Sequence, residues 1–135
     1  MKFNVNQKDL QEALSYCQGV IEKRSTLQIL SNVLLDASDS KLTITATDLD
    51  LIFIHKIKNI EIFEEGKTTT TSSIMFDIIR KFSSDKKINL LMNSQNKLQL
   101  ESEKSIFNLN CIASSEFPLT DENFNQNEFS LNSKQ

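Results

Sequence analysis

The chain has 135 residues, one domain's worth by the usual range of about 100–200. Its 16 Leu, 14 Ile, 3 Val and 9 Phe can fill a core without metals or disulfides. Fifteen basic residues against eighteen acidic ones give a net charge of −3, which excludes a simple basic nucleic-acid module but leaves room for a local basic patch. Residues 2–6 alternate as a short strand. A helix follows, with Leu10, Ala13, Leu14, Cys17, Val20 and Ile21 on one stripe. Asn6 or Gln7 stands at its start, where Asn is a good cap. A polar loop is expected over 22–28, then strands over 29–37, 41–47 and 51–60, with Asp39-Ser40 as a hairpin turn. The pattern then recurs. A Thr-rich strand spans 67–71, and Ser72 or Ser73 caps a helix with apolar Ile74, Met75, Ile78, Ile79 and Phe82. Strands follow at 88–92, 97–101 and 105–112.

The residues support a true internal repeat. A shift of 56 lays Leu34-Leu35 on Leu90-Leu91 and Lys41-Leu42 on Lys97-Leu98, while the helices match best at a shift of 66, with Leu10 on Phe76. The first copy therefore carries about ten extra residues between helix and strand, in the loop that holds Lys23-Arg24. A third copy opens at the end, where Glu128-Phe129-Ser130-Leu131-Asn132 echoes Lys2-Phe3-Asn4-Val5-Asn6. The expected organisation is one domain over 1–125, with halves at about 1–62 and 66–122, and the truncated start of a second over 126–135. The fold class is α+β, with two pseudo-symmetric β-α-β-β-β halves and two helices packed on antiparallel sheets.

Chemistry-bearing residues are few. Two glycines, Gly19 and Gly66, exclude a Gly-rich phosphate loop, and a single histidine, His55, excludes a two-histidine site. Cys17 and Cys111 are far apart and form no CxxC; they fit a reducing cytosol, so a cytoplasmic location is expected. No apolar run reaches the roughly 18 residues of a membrane span, and Met1-Lys2-Phe3-Asn4 is not a signal peptide. Asp48 and Asp50 stand two apart, so on a strand both carboxylates would share a face and hold Mg²⁺ for nucleotidyl transfer. The competing reading makes them turn residues that bond their own backbone. His55 alternates with Phe53 and Ile57 and reads as a packed or sheet-edge histidine. Cys17 and Cys111 read as packing residues. At 100° per residue the second helix presents Ser73, Asp77, Arg80 and Ser84, and the first presents Lys8, Glu12 and Ser15. Phe107 and Leu109 share one side of the last strand, which is either a core face or an edge that pairs with another chain.

Met1-Lys2-Phe3, Arg24-Ser25-Thr26-Leu27-Gln28-Ile29-Leu30-Ser31-Asn32, Thr45-Ala46-Thr47-Asp48-Leu49-Asp50, Phe76-Asp77-Ile78-Ile79-Arg80 and Phe117-Pro118-Leu119 together resemble the bacterial sliding clamps, the β subunits of DNA polymerase III. The likeness runs in register over nearly the whole chain. It implies the DNA-clamp fold and, for this chain, the first of three similar domains. It implies a non-catalytic role without cofactors or metals. In that family two subunits close head to tail into a ring, with helices lining a hole for duplex DNA of any sequence. The implied partners are DNA, a second subunit, the catalytic subunit of DNA polymerase III and a clamp loader, with no membrane. By the same resemblance Arg24, Ser73 and Arg80 would face DNA. Phe107 and Leu109 would pack against the third domain of the other subunit, with Ile78 near that seam. Ile74 and Ile106 stand where some members carry basic residues, which implies a more apolar subunit interface here. Against this stand two readings without the resemblance: a metal-dependent nucleotidyl-transfer enzyme using Asp48 and Asp50, and a β-rich interaction module with no DNA role.

Overall fold

Turn chemistry and alternation lay out the strands. In the computed structural model, which describes residues 1–21, 31–48, 51–58 and 60–118, Asp39 and Ser40 both take positive φ (53° and 62°), the two-residue hairpin geometry that matches strand twist. They join β2 (Asn32–Ser38) to β3 (Lys41–Thr47). Ahead of them lie β1 (Lys2–Asn6) and α1 (Gln7–Ile21). After them come β4 (Ile52–Ile57), β5 (Glu61–Glu64), β6 (Gly66–Thr71), α2 (Ser72–Ile79), β7 (Lys87–Met92), β8 (Lys97–Ser102) and β9 (Ser105–Ile112). The strands form an antiparallel sheet in the order β4-β3-β2-β6-β9-β8-β7-β1-β5.

The lead strand of each half sits in the other half's sheet. β1 pairs with β7, placing Phe3 opposite Leu90, and β6 pairs with β2, placing Thr69 opposite Leu34. Phe3 and Thr69 are 66 residues apart, and Leu34 and Leu90 are 56 apart. The two sequence shifts are thus the operation that carries one pairing onto the other, and the halves are pseudo-symmetric. The sheet order begins with β4 and ends with β5, which are successive in the chain. The sheet therefore curls until its two ends are neighbours in sequence.

Three local expectations need correction. The strand expected over 51–60 is observed as the shorter β4, Ile52–Ile57, and is followed by a further strand, β5 at Glu61–Glu64, that went unread in the sequence. β4 buries Ile57, whereas Ile60 is the next buried position and Ile62 the next inward one. The inward parity changes between them, so the ladder breaks and β5 starts afresh on β1. The strand read over 29–37 is observed from Asn32; its first residues, like the domain boundaries beyond 118, fall outside the described residues. α2 ends at Ile79 rather than running to Phe82. Two bonds three residues back, Lys81 N–H to Ile78 O (3.0 Å) and Phe82 N–H to Ile79 O (3.1 Å), tighten the chain and still bury Phe82.

The core lies between the helices and the sheet. Leu10, Ala13, Leu14 and Cys17 of α1 and Met75, Ile78 and Ile79 of α2 meet Phe3, Leu35, Ile44, Leu90 and Leu100 there. Ile74, on the apolar row expected of α2, is instead half exposed at 51%. Among the described residues no helix is long and apolar enough to cross a membrane.

Candidate nucleic-acid interface and subunit edge

The two helices run antiparallel, side by side, because polar side chains tie both ends. At one end the Gln7 Nε2 donates to the Ile79 carbonyl (2.7 Å) and to Gln11 Oε1 (2.8 Å). At the other, Ser72 Oγ donates to Gln18 Oε1 (3.0 Å). Ser72 is thus spent across the helix pair and not as a cap; Thr71 holds the capping position in extended backbone. This polar tie went unread in the sequence. Gln7 carried the signal, since it stands three residues before Leu10 on the buried stripe of α1.

The opposite face of the pair is polar and exposed. It presents Lys8, Glu12 and Ser15 from α1 and Ser73, Asp77 and Arg80 from α2. Arg80 Nη2 bonds Asp77 Oδ1 at 2.8 Å, and the guanidinium lies 5.0 Å from the Phe76 ring centre. Both charged groups are more than half exposed, so the pair adds little stability. Arg24 lies outside the described residues.

β9 is the edge of its sheet along most of its length. It pairs with β8 from Ser105 to Asn110, but with β6 only at Cys111 and Ile112. The two residues of its apolar pair differ in depth. Leu109 is 6% exposed and belongs to the core. Phe107 is half-buried and meets the Phe82 ring edge-on at 5.8 Å. Ile78 is buried in the core at 9%, while Ile74 and Ile106 are exposed at 51% and 55%. The strand thus serves the core through Leu109 while 105–110 keep an open ladder edge among the described residues.

The remaining candidates settle into structural roles. Asp48 Oδ1 accepts the Leu51 N–H at 2.8 Å, the Asx geometry of a turn. Asp50 lies outside the described residues, and among those described no three His, Cys, Asp or Glu side chains gather as for a metal. His55 sits on the sheet-edge strand β4, 6.2 Å from the Phe53 ring and 5.8 Å from that of Tyr16. Cys17 is buried in α1, and burial pushes its thiol up to about 12. Cys111 Sγ lies 3.8 Å from Met92 Sδ.

Two pseudo-symmetric halves with exchanged lead strands and paired helices define a clamp-type domain. The Caulobacter crescentus beta sliding clamp superposes with a TM-score of 0.83 at 32% identity, over 90% of this chain and 32% of that one. The Pseudomonas putida beta sliding clamp is 31% identical over 122 residues, covering 90% of this chain and 33% of the relative. That of Escherichia coli K12 is 31% identical over 131 residues, covering 97% and 36%. Residues 1–121 match the family model described as DNA polymerase III beta subunit, N-terminal domain, and the chain belongs to that family. It spans about a third of the length of the curated relatives it matches.

Proposed function

We propose that the chain is one domain of a DNA sliding clamp, a ring that encircles duplex DNA and tethers the replicative DNA polymerase III without making or breaking a bond. Family membership over 1–121 carries this reading, and the paired helices with one polar face support it. The ring is a head-to-tail homodimer. The β9 and α2 edge of one subunit, with Phe107, Leu109, Ile78, Ile74 and Ile106, meets a third domain of the other. Arg24, Ser73 and Arg80 face the duplex. Contacts to phosphate stay weak and water-mediated, which permits sliding and carries no base information. The catalytic polymerase subunit and a clamp loader are its protein partners in the cytoplasm, and no cofactor is needed.

The experiment is retention of the full-length protein on nicked circular plasmid after loading, followed by linearisation. Release on cutting is the expected outcome. Retention on linear DNA, or none on circles, would overturn the ring. In the same protein Arg24→Ala should weaken binding to open linear duplex about equally for all sequences and lower the salt slope by about one unit. A sequence-dependent loss would mean base readout, which a sliding ring lacks.

A further inference from the structure

The chain leaves α2 through a turn, residues 80–86, that with Lys87 at the start of β7 presents Arg80, Lys81, Lys86 and Lys87 against one acid, Asp85, all exposed. The backbone of this turn is fixed at several points. Phe82 anchors it in the core against Phe107. Ser83 Oγ donates to Glu103 Oε1 at 3.1 Å, and the Lys86 N–H donates to the Ser83 carbonyl at 3.2 Å. Gln7, 1% exposed, grips both ends. Its side-chain amide donates to the Ile79 carbonyl at 2.7 Å, and its backbone N–H donates to the Lys86 carbonyl at 3.0 Å.

One buried residue thus holds both ends of an exposed turn, its side-chain amide the α2 end and its backbone N–H the β7 end, and so sets where that turn's side chains project. Arg80 is taken up by Asp77. Among the described residues no ion pair involves Lys81, Lys86 or Lys87. The nearby acids are Asp85 and Glu103, with Lys104 a further cation beside them. Three lysines without internal counter-charge, on an ordered backbone, suit phosphate oxygens.

The repeat gives this turn a mate. Residues 80–86 follow α2 as residues 22–31 follow α1, and Arg24 belongs to the latter segment. The helices are antiparallel, so α2 ends where α1 begins: Ile79 lies at Gln7, while Gln18, near the end of α1, lies at Ser72. We propose that the turn 80–86, with Lys87 at the start of β7, is a phosphate-contacting segment, engaging duplex DNA through Lys81, Lys86 and Lys87 at the end of the helix pair where α1 begins and α2 ends, with Gln7 as its positioning residue. This rests on the clamp reading above.

The test uses the full-length ring and linear duplex across a salt series. Replacing Lys81, Lys86 and Lys87 together by Gln should lower the salt slope by about two to three units, at roughly 0.9 for each phosphate no longer neutralised. Gln7→Met keeps the length of the side chain and removes its donor. It should weaken duplex binding several-fold in the native background and have no further effect in the triple-Gln background. An unchanged slope in the triple variant would overturn the phosphate contact, even if Gln7→Met failed to fold. An equal loss from Gln7→Met in both backgrounds would overturn the positioning role. Retention of the native ring on circular plasmid separates these failures from failure of the clamp reading itself.

Discussion

Burial of Cys17 makes the domain's stability sensitive to alkali. The thiol ionises at an ordinary value of 9.0 when unfolded and at about 12 in the fold. Between those values the unfolded chain binds fewer protons than the folded one. Stability therefore falls as pH rises through that window, by at most about 1.4 kcal/mol per pH unit. Urea midpoints from pH 8 upward should show a shallower alkaline decline for Cys17→Ala than for the native protein. Phe107 and Leu109 should separate in a similar way. Leu109→Ala empties a core site and should cost about 2–4 kcal/mol of stability. Phe107→Ala should cost the fold less and weaken subunit association by about 2 kcal/mol, as truncated aromatic anchors do. Denaturation reads the first quantity and the size distribution of the full-length protein against concentration reads the second. Alternation had put both residues on one side of the strand. It carried no measure of depth, because Leu109 and Phe107 share parity and differ only in burial, Leu109 within the core and Phe107 half-buried against Phe82.

Among the elements, β6 starts under a steric constraint. A Cβ on Gly66 would stand 2.8 Å from Met1 Cβ and 3.2 Å from Met1 Cα, atoms that cannot swing away. Gly66→Ala should therefore destabilise the domain by about 1–3 kcal/mol, the usual range for overpacking, with a lower thermal midpoint as the check. Residues Ser105 to Ile112 were legible to the residue, since Phe107, Leu109 and Cys111 alternate without interruption and Glu103-Lys104 supplies the turn. The stretch from 51 to 64 was not. Apolar residues stand on both parities there, at Phe53 and Ile57 and again at Ile60 and Ile62, so the expected strand overran β4 to Ile60 and β5 went unread. The end of α2 was overrun for a related reason. Phe82 keeps the apolar spacing of a helix after the backbone has left it.

At the level of the molecule, the pseudo-twofold was the most legible feature, because both shifts return in the strand register. The polar ties between the helices were not legible, since Gln7, Gln18 and Ser72 find partners 72 and 54 residues away. On the clamp reading the 135 residues alone are one domain's share of the ring and close no path around DNA. They should bind duplex weakly and leave circular and linear plasmid with equal half-lives; longer retention on circles would mean that this chain closes a ring by itself. The exchange of lead strands bears finally on how the chain is made. β1 emerges before both of its partners, carrying Phe3 and Val5 to ladders with β5 and β7 that lie later in the chain. Its ladder with β7 waits until Leu90 has been added, and the apolar pair stays uncovered on that side meanwhile. Contacts this distant in sequence make folding slow and leave early intermediates open to aggregation. A nascent chain stalled before residue 87 should accordingly depend on chaperones far more than one stalled after residue 112.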